Sequence, residues 1–366
     1  MPFDSGSVSF RVCELRQPMP EDALERFADK AAGPLEYVKE DPKQGWVSGR
    51  HLLETRIDDQ TAYAGGYLNL TLRQAERKIP ASLLKAQCRM AELALLQEQG
   101  GDRISRKQKK QIKEDVQKRL LPDMPPILSG IDFVIDEGYK KLYVTTTSDK
   151  QFDTFAALFY QTVGIEPVPL APEILAAEVT DTDLESMPIL NFSDSVPDNA
   201  AGGTLGQSFL TWLWFYLEQH GGVLPKTQLG EFSMMIDGPL VFVAEGPGAL
   251  ESSIRKGLPT ISAEAKAALT VGKKLKRAKI ILARGREEQW QTTVDADTLV
   301  FRGMKLPEGE ALDPASIFEE RITNIYVFHT IFTELFKRFV TDVSDSSKVA
   351  EIQKNAQAWV NAMSGK

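Results

Sequence analysis

The sequence predicts an α+β protein in which antiparallel sheets pack against helices and one helical hairpin is strongly basic. Three observations carry this. Val8, Phe10 and Val12, and again Leu68, Leu70 and Leu72, alternate with polar neighbours at the two-residue period of half-buried strands. Several stretches place apolar residues three and four apart, the period of a helix with one buried face. Four β-rich segments between residues 240 and 304 read as strands of an antiparallel sheet.

The opening reads as β-α-β: a helix starting at Pro20, with Leu24, Phe27 and Ala31 as its stripe and Gly33 as its end, lies between the two alternating strands. A second helix begins at Pro80, carries Leu84, Cys88, Ala91 and Leu95 on one face, and stops at Gly100-Gly101. Ser105 stands three before Gln108, the capping-box spacing, so a third helix runs from near Arg106 to Leu121, before Pro122. Ile112, Val116 and Leu120 form its narrow apolar stripe. Arg106, Lys107, Lys110, Lys113 and Lys118 project away from that stripe, over a length of ~24 Å at 1.5 Å per residue.

Residues 131–147 read as two strands around a Glu137-Gly138 turn. Ser148 and Gln151 repeat the capping-box spacing, and Phe152, Phe155, Phe159 and Val163 give the next helix its core stripe before Gly164. The acidic, Pro- and Gly-rich stretch from Thr180 to Gly203 reads as a linker or exposed loop. The aromatic run Phe209–Leu217 reads as core. Strands follow at Leu240–Ala244, Lys279–Ala283, Gln291–Val294 and Leu299–Met304, then a long helix from Pro314 and, after Thr341, a short linker and a last helix. The expected divisions are 1–79, 80–172 (a tip-like unit), 173–265 (linker and aromatic middle), 266–342 and a 343–366 tail.

The composition is that of a folded globular chain: 366 residues, 42% hydrophobic, 26% charged. The longest apolar run is nine residues, ended by Glu218, against about 20 for a bilayer span. With no basic and apolar leader at the start, the expected location is the cytoplasm. Cys13 and Cys88 are the cysteines and His51, His220 and His329 the histidines. They are too scattered for a metal-ligand spacing, and two reduced thiols are expected.

Net charge is −8, yet the positive charge is concentrated. Residues 103–119 hold eight basic and two acidic side chains, and residues 273–286 hold seven basic and none acidic. The rest of the chain has 28 basic against 49 acidic residues. A polyanion responds to the nearest face, because fields are screened beyond about 8 Å at physiological salt. Basic stripes on an acidic shell can therefore bind phosphate.

Catalytic motifs are weak. Val271-Gly-Lys-Lys lacks the upstream Gly and the Ser or Thr of a phosphate-binding loop. Gly246-Pro-Gly-Ala lacks the third Gly of a dinucleotide fingerprint and reads as a turn. Ser82 and Lys85 have SxxK spacing where a helix start already favours Ser. Asp198, Glu264 and Lys266 are the residue types of a metal-dependent nuclease, but more than 60 residues part Asp198 from the other two. Asp58-Asp59 and Asp295-Ala-Asp297 read as turn formers or surface charge. No catalytic residue, metal ligand or cofactor is expected.

Gly45-Trp-Val47, residues 70–84, residues 105–116, Leu120-Leu-Pro122 and Ile165-Glu-Pro-Val-Pro-Leu170 resemble, in order and spacing, the recombination-associated RdgC family. Leu275-Lys-Arg-Ala-Lys279 resembles its second basic segment. The resemblance is dense over residues 1–172 and thin from 180 to 267.

It implies an RdgC-like multi-domain subunit of a ring: a bacterial, nucleoid-associated, non-enzymatic protein whose dimer encircles duplex DNA without marked sequence preference and restrains RecA-promoted strand exchange. Carried over by position, the candidate DNA-binding residues are Arg73, Arg77, Lys78, Arg106, Lys107, Lys109, Lys110, Lys113, Lys118, Arg119, Lys276, Arg277 and Lys279, to which the second basic block adds Lys273 and Lys274. The expected partners are double-stranded DNA, with single strands as a further substrate, a second copy of the chain and, functionally, RecA; no membrane is expected. One departure stands out. Where family members carry a basic and aromatic finger after Leu120-Leu-Pro122, this chain has Asp123-Met-Pro-Pro-Ile-Leu128. The alternative readings are an interaction module whose basic helix meets an acidic protein, and a metal-dependent nuclease.

Overall fold

The computed structural model describes residues 2–100, 103–180, 187–198, 201–244 and 250–363. In chain order its elements are β1 (Val8–Glu14), α1 (Ala23–Asp29), β2 (Lys43–Ser48), α2 (Asp59–Ala62), β3 (Tyr63–Ala64), β4 (Tyr67–Arg77), α3 (Ala81–Gln99), α4 (Arg106–Leu120), β5 (Pro126–Asp136), β6 (Lys141–Val144), α5 (Asp149–Val163), β7 (Val168–Pro169) and α6 (Pro172–Ala177). After these come α7 (Leu205–Gln219), β8 (Ser233–Val243), β9 (Glu251–Ile254), α8 (Ala263–Thr270), β10 (Lys274–Arg284), β11 (Glu288–Asp295), β12 (Phe301–Lys305), α9 (Pro314–Val343) and α10 (Ser346–Ala362). The α+β class is as the sequence predicts.

The strands join in one antiparallel sheet, ordered β2-β4-β5-β6-β1-β12-β11-β10-β8-β9, with β3 on β4 and β7 on β1. β1 is the seam: Arg11–Glu14 pair with β6, while Val8 and Phe10 pair with Met304 and Phe301 of β12. Because successive side chains point to opposite faces, β1 serves two cores. Cys13 joins a core built with α1 and α5, and Val8, Phe10 and Val12 join a second one built with α7, α9 and α10.

In the first core Trp46 is fully buried among Phe27, Phe133 and Phe155, with ring centroids 5.3–5.9 Å away, and its indole donates to Thr162 Oγ1 at 2.9 Å. In the second, every residue of α7 from Gly206 to Leu217 is buried, so the aromatic run is core as expected. Phe209 packs on Phe332, Phe336 and Phe339 of α9 at 4.9–5.6 Å. Only glycine fits at residue 206, where a Cβ would lie 1.9 Å from the Ala296 carbonyl oxygen.

Four details depart from expectation. β2 interrupts the β-α-β opening; its last four residues are buried in succession, so it shows no alternation. α1 ends at Asp29, and Ala31 instead forms a parallel bridge to Trp46. The Ser148–Gln151 capping box does not form: Ser148 makes no side-chain cap, and Gln151 Oε1 instead accepts from Thr146 Oγ1 at 3.2 Å. Of the segment read as a linker, residues 187–198 are irregular but not exposed throughout. Leu190 and Phe192 are buried, because apolar residues within the acidic stretch join the second core. Residues 181–186 and the Gly246-Pro-Gly-Ala turn lie outside the described residues.

Candidate nucleic-acid interface

β4 leaves the sheet at Arg77, climbs into α3, returns down α4 and re-enters the sheet at Pro126, which pairs with Arg77. The two helices form the expected hairpin arm. Gly100, at φ 58°, caps α3 in the left-handed conformation that glycine adopts freely. α4 begins with a complete capping box: Ser105 Oγ accepts the Gln108 N–H at 3.2 Å, and Gln108 Oε1 accepts the Ser105 N–H at 2.9 Å. Lys118 and Arg119 in the last turn suit the negative end of the helix dipole.

α4 turns Val116 inward as its one buried residue, with Ile112 and Leu120 half-buried. Arg106, Lys107, Lys109, Lys110, Lys113, Lys118 and Arg119 are all exposed. Lys110 lies 3.8 Å from Glu114, and Arg119 donates to Gln87 Oε1 of α3 at 3.0 Å. Arg106, Lys107, Lys109, Lys113 and Lys118 have no ion-pair or hydrogen-bond partner among the described residues. Fifteen residues of helix give a cationic ridge of ~22 Å, about six steps of a phosphate strand rising 3.4 Å each. Lys85 and Arg89 on α3 are exposed on the same arm and were not among the sequence candidates. Their i, i+4 spacing is the signal that could have found them.

The remaining candidates sit differently. Arg73 is buried and donates to the carbonyls of Leu52, at 3.3 Å, and Gly33. Arg77 donates to the carbonyls of Val38, at 2.6 Å, Pro122, at 2.8 Å, and Met124. Lys78 is exposed, 3.4 Å from Glu76. The second basic block is β10 itself, where cross-strand partners meet its charges. Arg277 pairs with Asp295 at 2.7 Å, Lys279 with Asp237 at 3.0 Å, and Lys276 with Asp297 at 3.8 Å.

Lys274 is buried with its ammonium 3.1 Å from Ser208 Oγ, and Lys273 donates to Ser252 Oγ at 2.7 Å. Burial raises the Asp237 carboxyl, but the Lys279 hydrogen bond, the Gly238 N–H and the Lys279 charge together hold it below its ordinary range. The two blocks that look alike in sequence are therefore a solvated ridge on α4 and a paired strand in β10.

Among the described residues no three His, Cys, Asp or Glu side chains converge as a metal site would require, and no helix is long and apolar enough to cross a membrane.

The resemblance read from the motifs is borne out over the half of the chain that contains this arm. Residues 10–181 match the family described as "RdgC: Putative exonuclease, RdgC". The chain is 30% identical to a recombination-associated protein RdgC of Pseudoalteromonas atlantica over 161 residues, 44% of this chain and 50% of that protein. It is also 30% identical to proteins of the same name from Bordetella pertussis and Bordetella bronchiseptica, over 152 residues, 41% of this chain and 46% of theirs. The match thus spans about half the length of the curated relatives.

Proposed function

We propose, starting from the RdgC match over residues 10–181, that the protein binds double-stranded DNA through phosphate contacts of α4, without catalysing a reaction on it. One observation carries the reading: an exposed ridge of seven Lys and Arg side chains, most without a protein partner, on an arm that stands out from the sheet. Lysines on a helix surface neutralise phosphates whatever the bases are, so binding is sequence-tolerant and driven by counterion release. On this reading two copies pair about a two-fold axis so that two arms face one duplex, the commonest closed way to repeat a patch. The assembly then acts in the nucleoid by occupying DNA that RecA would otherwise use.

A mobility-shift experiment with an end-labelled random duplex, with and without Mg²⁺, tests this. The expected result is a shifted band of undiminished length in both conditions. Shortening of the label with Mg²⁺ would replace the reading with a nuclease, and no shift in either condition would leave α4 to an acidic protein partner.

A further inference from the structure

Arg77 stands where the chain leaves the body of the protein for the α3–α4 arm, and its guanidinium bonds both sides of that exit. Its Nε donates at 2.6 Å to the carbonyl of Val38, the buried residue of the otherwise largely exposed segment that precedes β2. One terminal nitrogen donates to the carbonyls of Pro122, at 2.8 Å, and Met124, on the short turn that leads from α4 to β5. Three carbonyls from two stretches of backbone are thus gathered on one side chain. Arg73, on the same face of β4 four residues earlier, bonds the Gly33 and Leu52 carbonyls in the same manner, so the segment from Gly33 to Val38 is held at both ends.

The arm itself has little else to fix its direction. No residue of α3 is buried, and α4 buries only Val116. A helix pair with so small a packed face takes its orientation from its base.

We propose that Arg77 is the positioning residue for the DNA contact of α4: it orients the arm from its base and does not itself touch phosphate. This rests on α4 being the DNA contact. A planar fork with several fixed donors suits this task; a single lysine ammonium cannot reach all three carbonyls in their present directions.

The test compares Arg77→Lys and Arg77→Ala with Lys110→Glu. Affinity for a random duplex is measured by fluorescence anisotropy across a salt series, and hydrogen exchange is followed in the free proteins over residues 36–40 and 120–128. A positioning role predicts that both Arg77 variants bind about tenfold more weakly at fixed salt. Their slopes of log K on log salt stay at the wild-type value, because the bound state keeps every phosphate contact. Exchange accelerates over both segments, while Lys110→Glu flattens the slope and leaves exchange as it was.

If Arg77→Ala flattens the slope by about 0.9 and Arg77→Lys restores the affinity, Arg77 is a phosphate contact and the proposal is wrong. Wild-type affinity in both variants also overturns it. Should Arg77→Ala fail to fold, Arg77→Lys decides by the same two readings. If the wild-type protein binds no DNA, the reading of α4 fails, and exchange still decides separately whether Arg77 braces the arm.

Discussion

His329 lies on the inner face of α9, buried, with Nε2 3.1 Å from the Tyr143 hydroxyl on β6 and the Tyr326 ring edge-on beside it. Burial, aided by the charge of Lys141, pushes its pKa down to about 3, so the folded protein holds a neutral imidazole. An unfolded chain takes up the proton near pH 6.5. Below that pH the unfolded state binds more protons, so this residue's stabilisation is whole above pH 6.5 and is lost as pH falls toward 3, on the order of 5 kcal/mol across the window. Urea midpoints measured from pH 7 to pH 4 should fall more steeply for the wild type than for His329→Gln; parallel curves would contradict the assignment. Nothing in the sequence marked this histidine beyond its lack of metal-ligand neighbours. Its partner is 186 residues away, and the packing of α9 on the sheet brings them together.

At the scale of the element, the exposed charge of α4 was legible; in β10 the strand from Lys279 to Ala283 was legible and the pairing of its charges was not. The capping box of α4 is complete within four residues and its apolar stripe within nine, so local sequence placed both the start of the helix and the face that carries charge. Replacing Lys107, Lys110 and Lys113 together with Glu should abolish duplex binding while leaving the circular dichroism spectrum intact, since exposed substitutions shift stability by only about 0.5 kcal/mol each. Val116→Asp is the matching lesion, because Val116 is the seam residue and an unpaired charge there opens the hairpin. If the triple variant binds normally, α4 is only a solvated arm.

In β10 the same density of Lys and Arg meets acids from other strands: Asp295, 18 residues from its arginine, and Asp237, 42 from its lysine. A count of charges along the chain cannot see pairs made across a sheet. Arg73 and Arg77 were obscured for the same reason, their acceptors being backbone carbonyls of segments distant in sequence.

Across the whole molecule, most elements were readable from their periods, β2 excepted, and the sheet that joins them was not. The pairing of Val8 with Met304 joins residues 296 apart in the chain, and no local pattern encodes it. Among the described residues the fold sets a basic, largely unpaired ridge on α4 against a chain that is otherwise acidic, and on the proposed reading that asymmetry orients an approaching polyanion. Two-fold pairing of the arms predicts that light scattering at micromolar concentration gives twice the chain's mass; a monomer would remove the ring and leave a single-arm contact.

If α4 binds phosphate and not bases, a salt titration of affinity reads it directly. Two unrelated random duplexes are titrated from low to physiological salt. About six phosphates engaged along α4 predict a slope of log K on log salt near −5, the same for both sequences. A slope near zero, or a marked preference for one duplex, would contradict the account.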